Sequence, residues 1–229
     1  MQKLVSGFLR FHDEVFPAQK ELFKNLKYHQ APRALFITCS DSRLVPTLVT
    51  QTDPGELFIC RNAGNIVPPY GDTMGGVSAT IEYAVKALHV PNIIICGHSN
   101  CGAMAGVLHR EKLEDMPVVR HWLNMAESAR QIVNTNYPDA SDEQKMELLS
   151  FENVVAQLEN LRTHPSVSLA LARGEVRLFG WVFDIESGDI HAYNAETGEF
   201  EKLTGENVPE ATPPPRRRLK LAEASVQRS

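Results

Sequence analysis

Two short stretches hold most of the side chains that can do chemistry: Cys39-Ser40-Asp41-Ser42-Arg43 and Gly97-His98-Ser99-Asn100-Cys101-Gly102. Cys39, His98 and Cys101 offer two sulfurs and one imidazole, a donor set that suits Zn²⁺. Thiolate bonds of ~2.3 Å and an imidazole bond of ~2.0–2.1 Å demand a compact cluster. His98 and Cys101 are three residues apart, so at a strand-to-helix turn both can face one point. Three protein ligands leave a fourth tetrahedral position open, which separates a catalytic zinc site from a structural one. Asp41 can reach that position or turn back to Arg43, whose guanidinium can hold a carboxylate through two parallel N–H bonds. Two other chemistries use the same residues: a disulfide between Cys39 and Cys101, or a reactive thiol on either.

Something must bring these stretches together. The chain has 229 residues, 43% hydrophobic and 22% charged. That is the composition of a globular protein large enough to bury a core without staples, and it excludes a disordered or fibrous chain. The net charge of −5 gives the folded body no nucleic-acid footprint. No run approaches the ~18 apolar residues of a membrane span. The N-terminus shows no signal-peptide pattern, so the expected location is cytoplasmic, where thiols stay reduced. Of the four cysteines, Cys60 and Cys96 fall in apolar runs and read as core packing.

Residues 1 to about 27 carry apolar positions at helical spacing with Pro17 as a break, an arm that packs on the chain's own body or on another subunit. Arg33–Cys39, Glu56–Cys60 and Asn92–Cys96 are apolar runs without alternation, as in parallel strands buried on both faces. A helix over 76–88 lies between the last two, and strand–crossover–strand marks an α/β fold. Further helices are predicted over 101–109, 117–135, 142–163 and 165–173. A strand over Val176–Phe183 follows, then a turn at Glu186–Asp189 and a returning strand over Ile190–Tyr193. The expected architecture is a mostly parallel β-sheet flanked by helices, with an N-terminal helical arm (1–28) and a C-terminal edge hairpin, in one domain over 1–205. Both chemical stretches then lie just past strand ends, in the crevice where open α/β sheets form their sites. Residues 206–229 carry Pro213-Pro214-Pro215 and a basic run, Arg216-Arg217-Arg218 and Lys220, and read as a solvated, disordered tail, or else as a weak electrostatic contact for an acidic partner or nucleic acid.

The paired stretches resemble the β-class carbonic anhydrase family. The resemblance extends through Pro54-Gly55-Glu56, Arg61-Asn62-Ala63-Gly64-Asn65 and Ile81-Glu82-Tyr83-Ala84-Val85, and more loosely to Gly180-Trp181-Val182-Phe183-Asp184. It implies reversible hydration of CO2 to bicarbonate and a proton by attack of zinc-bound hydroxide. One zinc per chain would be held by Cys39, His98 and Cys101. An Asp41–Arg43 dyad would orient the nucleophile, with Asp41 as a fourth zinc ligand in a closed state. It implies a CO2 pocket formed by Gln30, Phe58, Tyr83 and the backbone N–H of Gly102, lying across a dimer interface with Gln30 from the partner. It therefore implies a homodimer or a higher assembly, tetramer or octamer. Phe36 stands where a bicarbonate-regulated branch carries tryptophan, which places the chain in the plant-like, non-bicarbonate-gated branch.

Overall fold

A computed structural model of the chain describes residues 1–72 and 75–207. The arm comprises α1 (Gln2–Arg10), a π-helical turn over Phe11–Val15, α2 (Phe16–Ala18) and α3 (Lys20–Leu26). None of its helices contains a buried residue. The break falls not at Pro17 but at Gln19, whose φ of −105° and ψ of 8° leave the helix. Pro17 sits instead in the first turn of α2, where its missing N–H costs nothing.

The body alternates strand and helix. β1 (Ala34–Cys39), α4 (Pro46–Thr50), β2 (Leu57–Asn62), α5 (Gly76–Lys86) and β3 (Asn92–His98) come first. Then follow α6 (Gly102–Leu108), α7 (Pro117–Trp122), α8 (Glu127–Asn136), α9 (Asp142–Arg162) and α10 (Pro165–Arg173). β4 (Arg177–Phe183), β5 (Ile190–Asn194) and β6 (Glu199–Lys202) complete one six-stranded sheet of order β2-β1-β3-β4-β5-β6. The first four strands are parallel and the last two pairings antiparallel, as the apolar runs and the terminal hairpin predict. The helix expected over 117–135 is divided by a 3-10 turn at Leu123–Ala126. β6 has no counterpart in the sequence reading, because Glu-Phe-Glu-Lys at an exposed edge carries no apolar run.

β1 is buried at every position. Leu35 and Ile37 face Val154, Leu158 and Leu161 of α9 in one cluster, while Phe36 packs on the opposite face with Ile94 and edge-on to Trp181. A third cluster closes the carboxyl end of the sheet and contains Cys39, Cys101, Met104 and Leu149. All four cysteines are free. Cys60 and Cys96 lie in the two sheet-face clusters, and burial pushes the Cys96 thiol up to about 12, the signature of an inert packing thiol. Helix α9 starts on a capping box in which Ser141 and Gln144 satisfy each other's backbone N–H, which fixes the register of the longest helix on the sheet.

No helix among the described residues is long and apolar enough to cross a membrane. The Pro/basic tail lies, from residue 208 onward, outside the described residues.

Candidate metal centre

Cys39 is the last residue of β1, His98 the last of β3, and Cys101 the N-cap of α6. The two strands are adjacent and parallel, so their carboxyl ends lie side by side and the turn after His98 carries Cys101 back to them. The two sulfurs and the imidazole bring their ligand atoms within 4.8 Å of one another, all three residues buried.

The donor set fits zinc. Cys39 Sγ and Cys101 Sγ stand 4.0 Å apart; tetrahedral ligation at ~2.3 Å spaces two sulfurs about 3.8 Å apart. The His98 Nδ1–H donates to the Ser99 carbonyl at 2.8 Å, which selects the tautomer with a lone pair on Nε2. That Nε2 is buried without a hydrogen-bond partner among the described residues. An orphaned imidazole lone pair aimed at two thiols is costly unless a cation completes it. Cys39 is poised as the thiolate: its pKa is lowered, chiefly because Cys101 donates to it, with a further donor in the Gly64 N–H. Cys101 is raised by the same contact.

Asp41 stands just outside this triad. Its carboxylate accepts from Arg43 Nε at 3.0 Å, Arg43 Nη2 at 2.8 Å and the Arg43 backbone N–H at 2.9 Å. The guanidinium holds the carboxyl well below the usual carboxylate range. Asp41 Oδ2 is still 3.8 Å from His98 Nε2, so a small swing would carry it to the metal position. Arg43 also donates to the Asn100 carbonyl at 3.0 Å and so ties the two stretches together.

The pocket residues separate. Gly102 opens α6 beside Cys101. Phe58 and Tyr83 meet each other, ring centroids 5.9 Å apart, and Tyr83 is 51% exposed. The strand register pairs Phe58 with Leu35 and Asn62 with Cys39, which sets Phe58 four residues, about 13 Å, along the strand from the ligand end. Gln30 is exposed in the link between α3 and β1.

The sequence reading assigned no role to several residues that shape the centre. Arg61 donates to the carbonyls of Cys39, Asp41 and Leu44 at 3.0, 2.6 and 2.8 Å and so clamps the turn that carries the dyad. The Gly64 N–H donates to Cys39 Sγ at 3.4 Å. Gly64 has a φ of +80°, and a Cβ there would meet Ala103 Cβ at 3.0 Å and Met104 Cε at 3.1 Å. Gly64→Ala is therefore expected to cost about 1–3 kcal/mol, read as a lower urea midpoint at unchanged m-value; an unchanged midpoint would refute the account.

Comparison with known proteins agrees with the geometry. The family model described as carbonic anhydrase matches residues 34–190. A carbonic anhydrase of Pseudomonas aeruginosa is 52% identical over 203 residues, covering 89% of this chain and 92% of that one. The solved structure of the beta-carbonic anhydrase CcaA superposes with a TM-score of 0.89 at 42% identity, covering 93% of this chain and 95% of that one. A tetrameric beta-carbonic anhydrase from the filamentous ascomycete Sordaria macrospora does so with a TM-score of 0.74 at 30% identity, covering 83% and 95%. With a matched model over most of the chain and the Cys39–His98–Cys101 cluster in place, this chain belongs to the β class of the carbonic anhydrase family, the enzymes that interconvert carbon dioxide and bicarbonate.

Proposed function

We propose that Cys39, His98 and Cys101 hold one zinc ion per chain and that CO2 is hydrated beside it in a pocket completed by a second copy of the chain. The observation that carries the zinc assignment is the buried, unpartnered His98 Nε2 facing the two sulfurs. Zinc bound at such a three-ligand site supplies a Lewis acid that makes a nucleophile from water near neutral pH. The rest falls to the chain. Arg43 keeps Asp41 anionic, so Asp41 Oδ2 acts only as an acceptor. It turns the hydrogen of the attacking water aside and leaves a lone pair toward the carbon of CO2. The N–H of Gly102, in the first turn of α6, donates to a substrate oxygen.

Gln30, Phe58 and Tyr83 serve this pocket from across an interface: Gln30 of the partner subunit, Phe58 of the partner subunit and Tyr83 of the partner subunit. Two facts support that arrangement. The register holds Phe58 away from the ligands of its own chain, and β2 is an edge strand whose Ile59 is exposed. The solved relative from Sordaria macrospora is tetrameric, and a homodimer or higher assembly is the form proposed for this chain. Four free thiols suit a cytoplasmic location. Phe36 is fully buried and its side chain has no N–H to offer an anion, which favours the branch that bicarbonate does not gate. Residues 1–205 act as one domain with 1–28 as its arm.

Subunit complementation tests the shared pocket. Chains carrying Cys101→Ser and chains carrying Gln30→Ala with Tyr83→Ala are each expected to be nearly inactive in CO2 hydration. Unfolded together and refolded, they form mixed dimers in which one of the two sites is intact, and activity rises well above either parent. Activity no higher than the parents' in dimers shown to be mixed would overturn the shared pocket.

A further inference from the structure

We propose that Asn153, Gln157 and Trp122 are positioning residues that press the Gly64 N–H onto the Cys39 sulfur and so set the thiolate's hold on its metal. The inference rests on the reading of Cys39 as a ligand. Its starting point is a pair of carboxamides on α9 that are almost completely shielded from solvent, Asn153 at 1% and Gln157 at 0% exposure. Their helix neighbours toward the sheet are Leu149, Val154, Leu158 and Leu161. Apolar residues there would leave the Val67 N–H and the Gly64 carbonyl buried without partners, so the two amides serve the loop they hold rather than the packing of the stripe.

Their hydrogen bonds run in one direction. The Val67 N–H donates to Gln157 Oε1 at 2.8 Å, and Gln157 Nε2 donates to Asn153 Oδ1 at 2.9 Å. Asn153 Nδ2 then donates to the Gly64 carbonyl at 3.0 Å. Both ends of the loop from Gly64 to Val67 are thereby tied to one rigid helix. The peptide joining Ala63 to Gly64 has a second hold: Trp122 Nε1 donates to the Ala63 carbonyl at 2.9 Å. In a trans peptide the carbonyl and the following N–H point in opposite directions. Holding the Ala63 oxygen on Trp122 therefore aims the Gly64 N–H the other way, at Cys39 Sγ 3.4 Å off. Glycine at φ +80° would otherwise leave this peptide free to rock. A fixed N–H donor on a ligand sulfur tempers the charge it gives to the metal and fixes its direction, and such outer partners govern metal affinity by about 10–100-fold.

The test uses the full-length zinc protein and its cobalt(II)-substituted form, with three variants: Asn153→Leu with Gln157→Leu, Trp122→Phe, and Ser150→Ala as a control. Ser150 lies on the same helix and donates only to Met146 of its own turn. Zinc transfer to a chromophoric chelator is expected to be about 10-fold or more faster in the first two variants, and their sulfur-to-cobalt charge-transfer band to move. The control keeps wild-type values for both. Should the double variant not fold, Trp122→Phe, which keeps an aromatic ring at the position and loses the indole N–H, decides the matter. Wild-type release and an unmoved band in the folded variants would overturn the proposal while leaving the zinc site intact. A wild-type protein that releases no zinc on denaturation would instead overturn the metal reading beneath it.

Discussion

Cys101→Ser is expected to leave the fold standing while removing both metal and activity. Cys101 is the N-cap of α6, and serine is among the preferred residues at that position, so the helix keeps its start. The hydroxyl, however, does not ionise near neutral pH as a thiol beside a metal does, and a site of two ligands no longer matches zinc's tetrahedral demand. Metal analysis should fall from one zinc per chain to near none. Stopped-flow CO2 hydration should fall by at least ~10³-fold, because without the ion water keeps its bulk pKa of ~15.7 and supplies no nucleophile. Since an ion bound only to the native state also stabilises it, wild type stripped by a chelator should melt at the temperature of the variant. Zinc retained at one per chain in Cys101→Ser would show that the assigned ligand is wrong.

Arg43→Ala is expected to lower kcat by about 10²-fold or more, the range seen when a positioned proton acceptor is lost, with zinc still at one per chain. In the intact protein three N–H groups of Arg43 hold the Asp41 carboxylate. Without the guanidinium two of them vanish, and Asp41 Oδ2, already 3.8 Å from His98 Nε2, can move onto the metal and close the site. Arg43→Lys should not rescue, since an ammonium cannot reproduce the two-pronged pair. Asp41→Asn should lose turnover to a similar degree without closing the site. The measurement is kcat and KM by stopped flow beside metal content; wild-type turnover in Arg43→Ala would refute the dyad's role.

The candidate ligands and the Asp41–Arg43 pair are legible because the chemistry is written in residue types at short spacing. Cys39 with Asp41 and Arg43, and His98 with Cys101, each sit within one turn of chain. The parallel order was legible from runs such as Asn92–Cys96, which show no alternation because both faces are buried. The arm's break was misplaced by two residues, since proline in a first helical turn looks in sequence like a helix breaker. β6 was missed because an edge strand needs no apolar face. Arg61 gives no signal in sequence beyond its place in a motif, for its partners are three backbone carbonyls, and carbonyls have no sequence signature. Asn153 and Gln157 did leave a trace, as polar residues in the apolar stripe of a predicted helix, but what they bond could not be read from that.

By itself, the sequence determined which atoms could take a metal and which strands would carry them, because ligand chemistry and strand burial are both local properties of residue type. The tertiary structure decided the rest: that β1 and β3 are neighbours, so the ligand atoms converge within 4.8 Å; that the Asp41 carboxylate faces Arg43; and that Phe58 lies down the strand from its own cluster. These depend on strand order, rotamer and register, which are set by long-range packing and by which face of each strand the helices cover.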